Sequence, residues 1–302
     1  MLGADLGIFE PREVALVDVD GTSYEVGPGV APSVYGNAGR TLWEDYCTTP
    51  NYAALLGGAL HFANVSEVAL LVLGLPVHTT NKYSARLRNQ FSGRLDFGHG
   101  KVSVSQVMVI PQALGSLGWF SGRRHDEFGD RDAHLVIDVG YLNTDWVVAK
   151  GFSMDEARSG TLLGGTLQIY QRIAQLISEQ ESDQFDEIGR IERCLVEKGP
   201  LLFYGKDIEL EPYVKQSRAI ITATVESLRD SVGHPADFRS IVLTGGGAPL
   251  YEQAIRAAFP HAQINLLEAP GFGNVNGFLI AGEATLLRER KRAGSEQLTR
   301  PA

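Results

Sequence analysis

The chain reads as an α/β protein of two domains, and three observations point that way. Short apolar runs that end in glycine-bearing turns alternate with segments of helical spacing, the pattern of strands crossed over by helices. At 302 residues the chain has room for two cores of about 150 residues each. A short Asp-x-Gly element also recurs a domain's length apart, as Asp5-Leu6-Gly7 and Asp138-Val139-Gly140, each opening a unit.

The elements follow in order. Val14–Val19 and Ser23–Val26 alternate around Asp20-Gly21, which predicts a tight hairpin. Tyr52–Phe62 has helical spacing, and Val68–Leu73 is a continuous apolar run expected to be a strand buried on both faces. After Gly74-Leu75-Pro76 a helix is expected over Asn81–Phe91, a strand over Val102–Ile110 and a helix over Gln112–Phe120. The charged loop 122–132 ends the first domain, expected at 1–132. The second, 133–276, opens on the strand His134–Asp138, with helices over Leu167–Ile188 and Lys215–Val232 and a strand over Ser240–Thr244. A final helix begins at Gly277, and 277–302 are expected to pack back on the first domain.

Composition narrows the functional classes. With 44% hydrophobic and 21% charged residues this is a globular chain, and no apolar run reaches the roughly 18 residues of a membrane span. Cys47 and Cys194 make no disulfide framework and the N-terminus lacks a signal-peptide pattern, so a reducing cytoplasm is expected. A net charge of −9 argues against direct nucleic-acid binding. The seven histidines show no metal-ligand spacing. Arg288–Arg292 reads as a solvated helix end, with binding to DNA or an adaptor as its other reading, and the acidic stretch Glu179–Glu187 as a solvated helix or loop, with a partner surface as the other.

The strand-end turns carry the chemistry a nucleoside triphosphate needs. Glycine turns offer backbone N–H groups to phosphates, and carboxylates hold a hydrated magnesium ion. A polar group must also orient the attacking water. Asp5 and Asp138 are candidates for the metal, Gln112 for the water, Arg12 for a phosphate and Gly245-Gly246-Gly247 for the adenosine end.

These pieces stand in the order found in the superfamily of actins, heat-shock chaperone ATPases and sugar kinases. Val136-Ile-Asp-Val-Gly-Tyr-Leu-Asn-Thr-Asp-Trp146 resembles the second phosphate loop of the bacterial plasmid-segregation actins of ParM and StbA type. Gly74-Leu-Pro76, Val109–Gly115, Leu243–Ala248 and Asn274-Val-Asn-Gly-Phe278 resemble further strand ends and connections of that family. The resemblance implies an actin-like fold, two RNase H-like domains with a nucleotide cleft between them. It implies ATP and Mg2+ as ligands, with Asp5, Gln112 and Asp138 catalytic and Gly7, Arg12, Gly140, Tyr141, Asn143, Thr144 and Gly245–Gly247 around the nucleotide. It further implies ATP hydrolysis, self-association into filaments in the cytoplasm, and plasmid segregation through a DNA-binding adaptor. The first phosphate loop departs from the family pattern: Ile8, Phe9, Glu10 and Pro11 replace glycine and hydroxyl residues, and Arg12 stands where lysine is usual. A non-hydrolysing scaffold or adaptor of the same fold therefore stays open, as does a small-molecule kinase of the superfamily.

Overall fold

The computed structural model describes residues 12–30, 44–98, 100–124, 126–129 and 131–298. Two compact units are built from it, one from the chain up to Leu71 with Arg86–Val107, the other from Val72–Ala85 with the chain from Met108 onward.

In the first unit β1 (Ala15–Val19) and β2 (Thr22–Val26) form the hairpin expected around Asp20-Gly21. Both turn residues have positive φ, 51° and 80°, which suits the twist of a two-residue hairpin loop. Helix α1 (Pro50–Ala63) starts where the Thr49 hydroxyl accepts the Tyr52 N–H, with a proline in its first turn, and stops at Asn64 in the left-handed conformation. A Cβ at Gly58 would lie 2.4 Å from Val26, so glycine is what lets α1 approach the hairpin. Ala15, Val17, Ala54, Leu60, Phe97, Val102 and Val104 make the core of this unit.

β3 (Glu67–Leu75), α2 (Val77–Phe91), β4 (Gly93–Asp96) and β5 (Lys101–Pro111) follow, the strands in the order β3-β5-β4. The run Val68–Leu73 forms β3, but only Leu73 and Leu75 on that strand are fully buried. Among the described residues this sheet has three strands, and most of β3 is half covered, so the apolar run overstated its burial.

The second unit begins with α3 (Gln112–Arg123), β6 (Ala133–Val139), β7 (Asn143–Lys150), β8 (Ser153–Met154) and β9 (Gly160–Leu163). Helices α4 (Thr166–Glu181) and α5 (Ile188–Glu197) follow, then the hairpin β10 (Leu201–Phe203) with β11 (Lys206–Ile208). The chain closes with α6 (Glu211–Gln216), α7 (Arg218–Val232), β12 (Phe238–Thr244), α8 (Ala248–Ala258), β13 (Ile264–Leu266) and α9 (Gly273–Leu298). The main sheet runs β13-β12-β6-β7-β8, with β9 also on β7. β12 lies parallel to β6 and to β13, while β6 and β7 are an antiparallel hairpin.

Helices cover both faces of this sheet. Leu135, Ile137 and Val139 of β6 pack with Ile169, Ile173 and Tyr251 on one side. Val136 of β6, Val147 and Val242 pack with Ala113, Leu117 and Phe120 of α3 on the other. Each fully buried large aliphatic here contributes roughly 1.5–3 kcal/mol relative to exposure. Two long helices expected from spacing are broken. The first stops at Ser182, which takes a left-handed conformation, and Phe185 then drops into the core with its N–H on the Ser178 hydroxyl. The second is split at buried Ser217, whose hydroxyl donates to the Tyr213 carbonyl. Among the described residues no helix is long and apolar enough to cross a membrane.

Candidate functional site

The C-terminal ends of β12 and β6 and the start of β7 bring three polar side chains into one row. Thr244 is the register partner of Asp138 in the parallel pair, and Asp145 is its partner in the hairpin. Directly paired residues share a face. Alternation puts Asp138 with Val136, Asp145 with Val147 and Thr244 with Val242, all toward α3.

On that face the side chains form a continuous network. The Asn274 amide at the start of α9 donates to Asp138 Oδ2 at 2.6 Å, and its oxygen accepts the Ser116 hydroxyl at 2.6 Å. Ser116 meets the Thr244 hydroxyl at 2.8 Å, and Thr244 reaches the Pro270 carbonyl at 3.0 Å. The network depends on close helix packing: a Cβ at Gly277 of α9 would fall 1.6 Å from the Gly115 carbonyl oxygen of α3. On the other side of Asp138, Thr161 of β9 donates to Asp145, and the exposed His78 ring bonds the Thr161 hydroxyl through Nδ1 at 3.0 Å. The Val77 N–H also bonds the Asp145 carboxyl.

Both carboxyl groups are buried, 6% exposed each. Burial raises Asp138 above the usual carboxylate range, against the opposing pull of the Asn274 bond. Burial pushes Asp145 up to about 7, helped by the charge of Asp138 and resisted by Thr161 and the Val77 N–H. Two adjacent buried carboxyl groups of this kind suit a divalent cation, whose charge would favour ionisation of both. Among the described residues no cluster of three or more His, Cys, Asp or Glu groups could hold a metal by itself. A magnesium ion here would therefore take its remaining oxygens from water and from the phosphates it accompanies.

Two turns border the pair. The β6–β7 turn closes with the Gly140 N–H on the Asn143 carbonyl at 2.9 Å, and Tyr141 and Leu142 form its tip. The Asn143 side-chain oxygen is buried without a hydrogen-bond partner, an acceptor that a donor such as a metal-bound water would satisfy. The turn after β12 places Gly245 at φ 89°, where a Cβ would lie 2.4 Å from Asp138 Oδ1 and 2.3 Å from the Val139 carbonyl oxygen. Gly247 N–H bonds that same carbonyl at 2.9 Å, and Gly246 is exposed with open space above it.

The structure thus gathers Asp138, Gly140, Tyr141, Asn143 and Gly245–Gly247 around one strand-end region, with half-buried Gln112 at the first residue of α3. Thr144 faces the opposite side of β7 from Asp145, and its buried hydroxyl donates to the Gly164 carbonyl at 2.7 Å. Arg12 belongs to the first unit, where its guanidinium makes a two-pronged pair with Glu25 at 2.6 and 2.9 Å. Asp5 and Gly7 lie outside the described residues. Sequence reasoning missed Asp145, Thr161, Ser116 and Asn274 as site residues. The aspartate before Trp146 and the asparagine opening the last helix were visible as motif letters, but nothing in the sequence marked Thr161 or His78.

A mixed sheet with a carboxylate hairpin, a glycine turn packed on the first carboxylate and a last helix tied into it define an actin-type fold. The sequence comparisons agree. The N-terminal domain of actin-like proteins matches residues 4–115, and the C-terminal domain of the archaeal MreB-like actin homologues matches residues 136–257. The chain belongs to the actin-like proteins.

Among solved structures, the archaeal actin homologue Ta0583 is 17% identical with a TM-score of 0.73, over 91% of this chain and 89% of its own. That protein has also been solved in complex with ADP. A non-polymerisable quadruple mutant of pCBH ParM is 20% identical with a TM-score of 0.70, over 90% of this chain and 86% of its own. A 15-stranded ParM filament from Clostridium botulinum is 20% identical with a TM-score of 0.63, over 80% and 76%. Comparison with curated protein sequences finds no match.

Proposed function

We propose that this chain binds ATP with Mg2+, hydrolyses it, and assembles into filaments whose growth and decay follow nucleotide state. The buried Asp138–Asp145 pair beside the Gly245 turn carries the reading, because such a pair calls for a bound cation and the turn leaves backbone close to it. Asp138, with Asp5 of the first loop, would organise the hydrated magnesium, which supplies charge neutralisation on the phosphates. Gln112 would orient the attacking water. Since Gly140 gives its own N–H to Asn143, the phosphate donors would be the backbone amides that follow it in the turn, with Asn143 beside them. Gly245–Gly247 would lie against the adenosine.

Support for a nucleotide comes from the ADP complex of the archaeal homologue, and for self-association from the ParM and Alp12 filaments. Plasmid segregation through a DNA-binding adaptor, in the cytoplasm, completes the proposal on the ParM likeness alone. The proposed division of 1–132 with 277–302 against 133–276 asks that the last helix meet the first part of the chain, as α9 does on α3, although both helices also belong to the compact unit of the main sheet.

One observation favours a second reading, a scaffold that binds nucleotide without turning it over. Arg12, standing where a phosphate-binding lysine is usual, is already held by Glu25. Light scattering and phosphate release, followed together after adding magnesium-ATP, separate the two. A scattering rise that decays as phosphate appears, abolished in Asp138→Ala, supports the ATPase. Nucleotide binding with flat scattering and no phosphate above background leaves the scaffold.

A further inference from the structure

Two exposed surfaces of the second unit have complementary character. The first is the β10–β11 hairpin. Its turn holds Tyr204 and Gly205 at φ 48° and 75°, and Tyr204 stands 78% exposed at the tip with its hydroxyl bonded to Asp183. Leu202, also exposed, is the cross-strand partner of exposed Asp207. Leu202 and Tyr204 share with exposed Asp186 a cleft of about 400 Å³, floored by the Phe185 and Phe203 rings. This is an apolar knob and cleft whose rim is acidic on balance, its cations Arg190 and Lys206 being paired with Glu187 and Glu181 and leaving Asp186 and Asp207 to a partner.

The second surface runs along α9. Val275 and Leu279 are four residues apart on one stripe, and Leu279 is 64% exposed. Leu287 is exposed further along, past exposed Glu283 on the same row, and Arg290 and Lys291 continue the same half of the helix, Arg290 three turns from Leu279 and Lys291 one turn from Leu287. It is an apolar stripe with a basic end. Exposed large apolar side chains arranged in a stripe rather than singly mark an interaction surface.

Resting on the filament reading above, we propose that these two surfaces form the head-to-tail contact of the filament. The acid-rimmed hairpin of one copy docks on the α9 stripe of the next, Asp186 and Asp207 facing Arg290 and Lys291. Two different patches make a heterologous contact, which propagates into an open filament when its rotation does not close a ring. The opposed charges set register and partner choice, and the apolar side chains are desolvated between them.

Charge reversal tests the pairing in the full-length chain, by sedimentation with magnesium-ATP. R290E/K291E and D186K/D207K each raise the critical concentration about tenfold or more, while thermal melting matches wild type. An equimolar mixture of the two restores assembly, because each reversed face then finds its reversed counterpart. Wild-type assembly with either variant assembling as well as wild type, or a mixture that stays inert, overturns the interface and leaves the filament reading standing. Absence of wild-type assembly in every nucleotide state overturns both. As a second measurement, mixed L202C and L287C chains should crosslink on oxidation into a product absent from either alone, because Leu202 lies opposite Asp207 and Leu287 one turn from Lys291, and no such product counts against the contact.

Discussion

Replacing Asp145 by asparagine should remove a pH dependence from the stability of the second unit. Asp145 is held at about 7 against an ordinary value of 3.8, chiefly by burial. A raised carboxyl group binds its proton more tightly folded than unfolded. Its contribution is therefore fully present below about pH 4 and is lost as pH rises from there through about 7. The rise spans about 3 pH units at ~1.4 kcal/mol each, so the ceiling is about 4 kcal/mol. Asparagine keeps the shape, can donate to the Thr161 hydroxyl, and leaves Thr161 free to donate to His78. Urea unfolding of both proteins without nucleotide or divalent ions, at about pH 5 and about pH 8, reads the effect directly. The stability of the variant relative to wild type should rise by about 2–4 kcal/mol between those pH values, with m unchanged. Parallel curves would refute the reasoning, since they would show that Asp145 titrates as it does in the unfolded chain.

Two further substitutions probe how packing holds the site. Gly277→Val should lower stability by about 3 kcal/mol or more, because the new side chain meets the Gly115 carbonyl and pushes α9 off α3; a melting temperature within a degree or two of wild type would contradict that. The same displacement should pull Asn274 from Asp138 and weaken nucleotide binding in parallel. Gly245→Ala forces an alanine to φ 89° against Asp138 Oδ1 and the Val139 carbonyl, so calorimetric titration should show nucleotide affinity reduced about tenfold or more with a stability loss of about 2 kcal/mol. Unchanged affinity would remove the Gly245 turn from the proposed site.

Where the signal is local, the amino-acid order alone was enough. Asp20-Gly21 between alternating residues could hardly be anything but a hairpin, and it is one. The run His134–Asp138 and the run Ser240–Thr244, each ending in glycine, became neighbouring central strands of the main sheet. Motif order also pointed to the actin-like proteins, and with them to Asp138 and the glycine turn after β12. Where the fold overrode local signal, a tertiary contact was responsible: the helical spacing through Leu167–Ile188 carried no mark of the left-handed Ser182, which lets Phe185 turn inward. The carboxylate pair, the hydroxyl relay from Thr161 to His78 and the Asn274–Ser116–Thr244 chain were decided by tertiary structure alone. Each joins residues from different strands and helices, and burial, which raises both aspartates, belongs to no single segment of the chain.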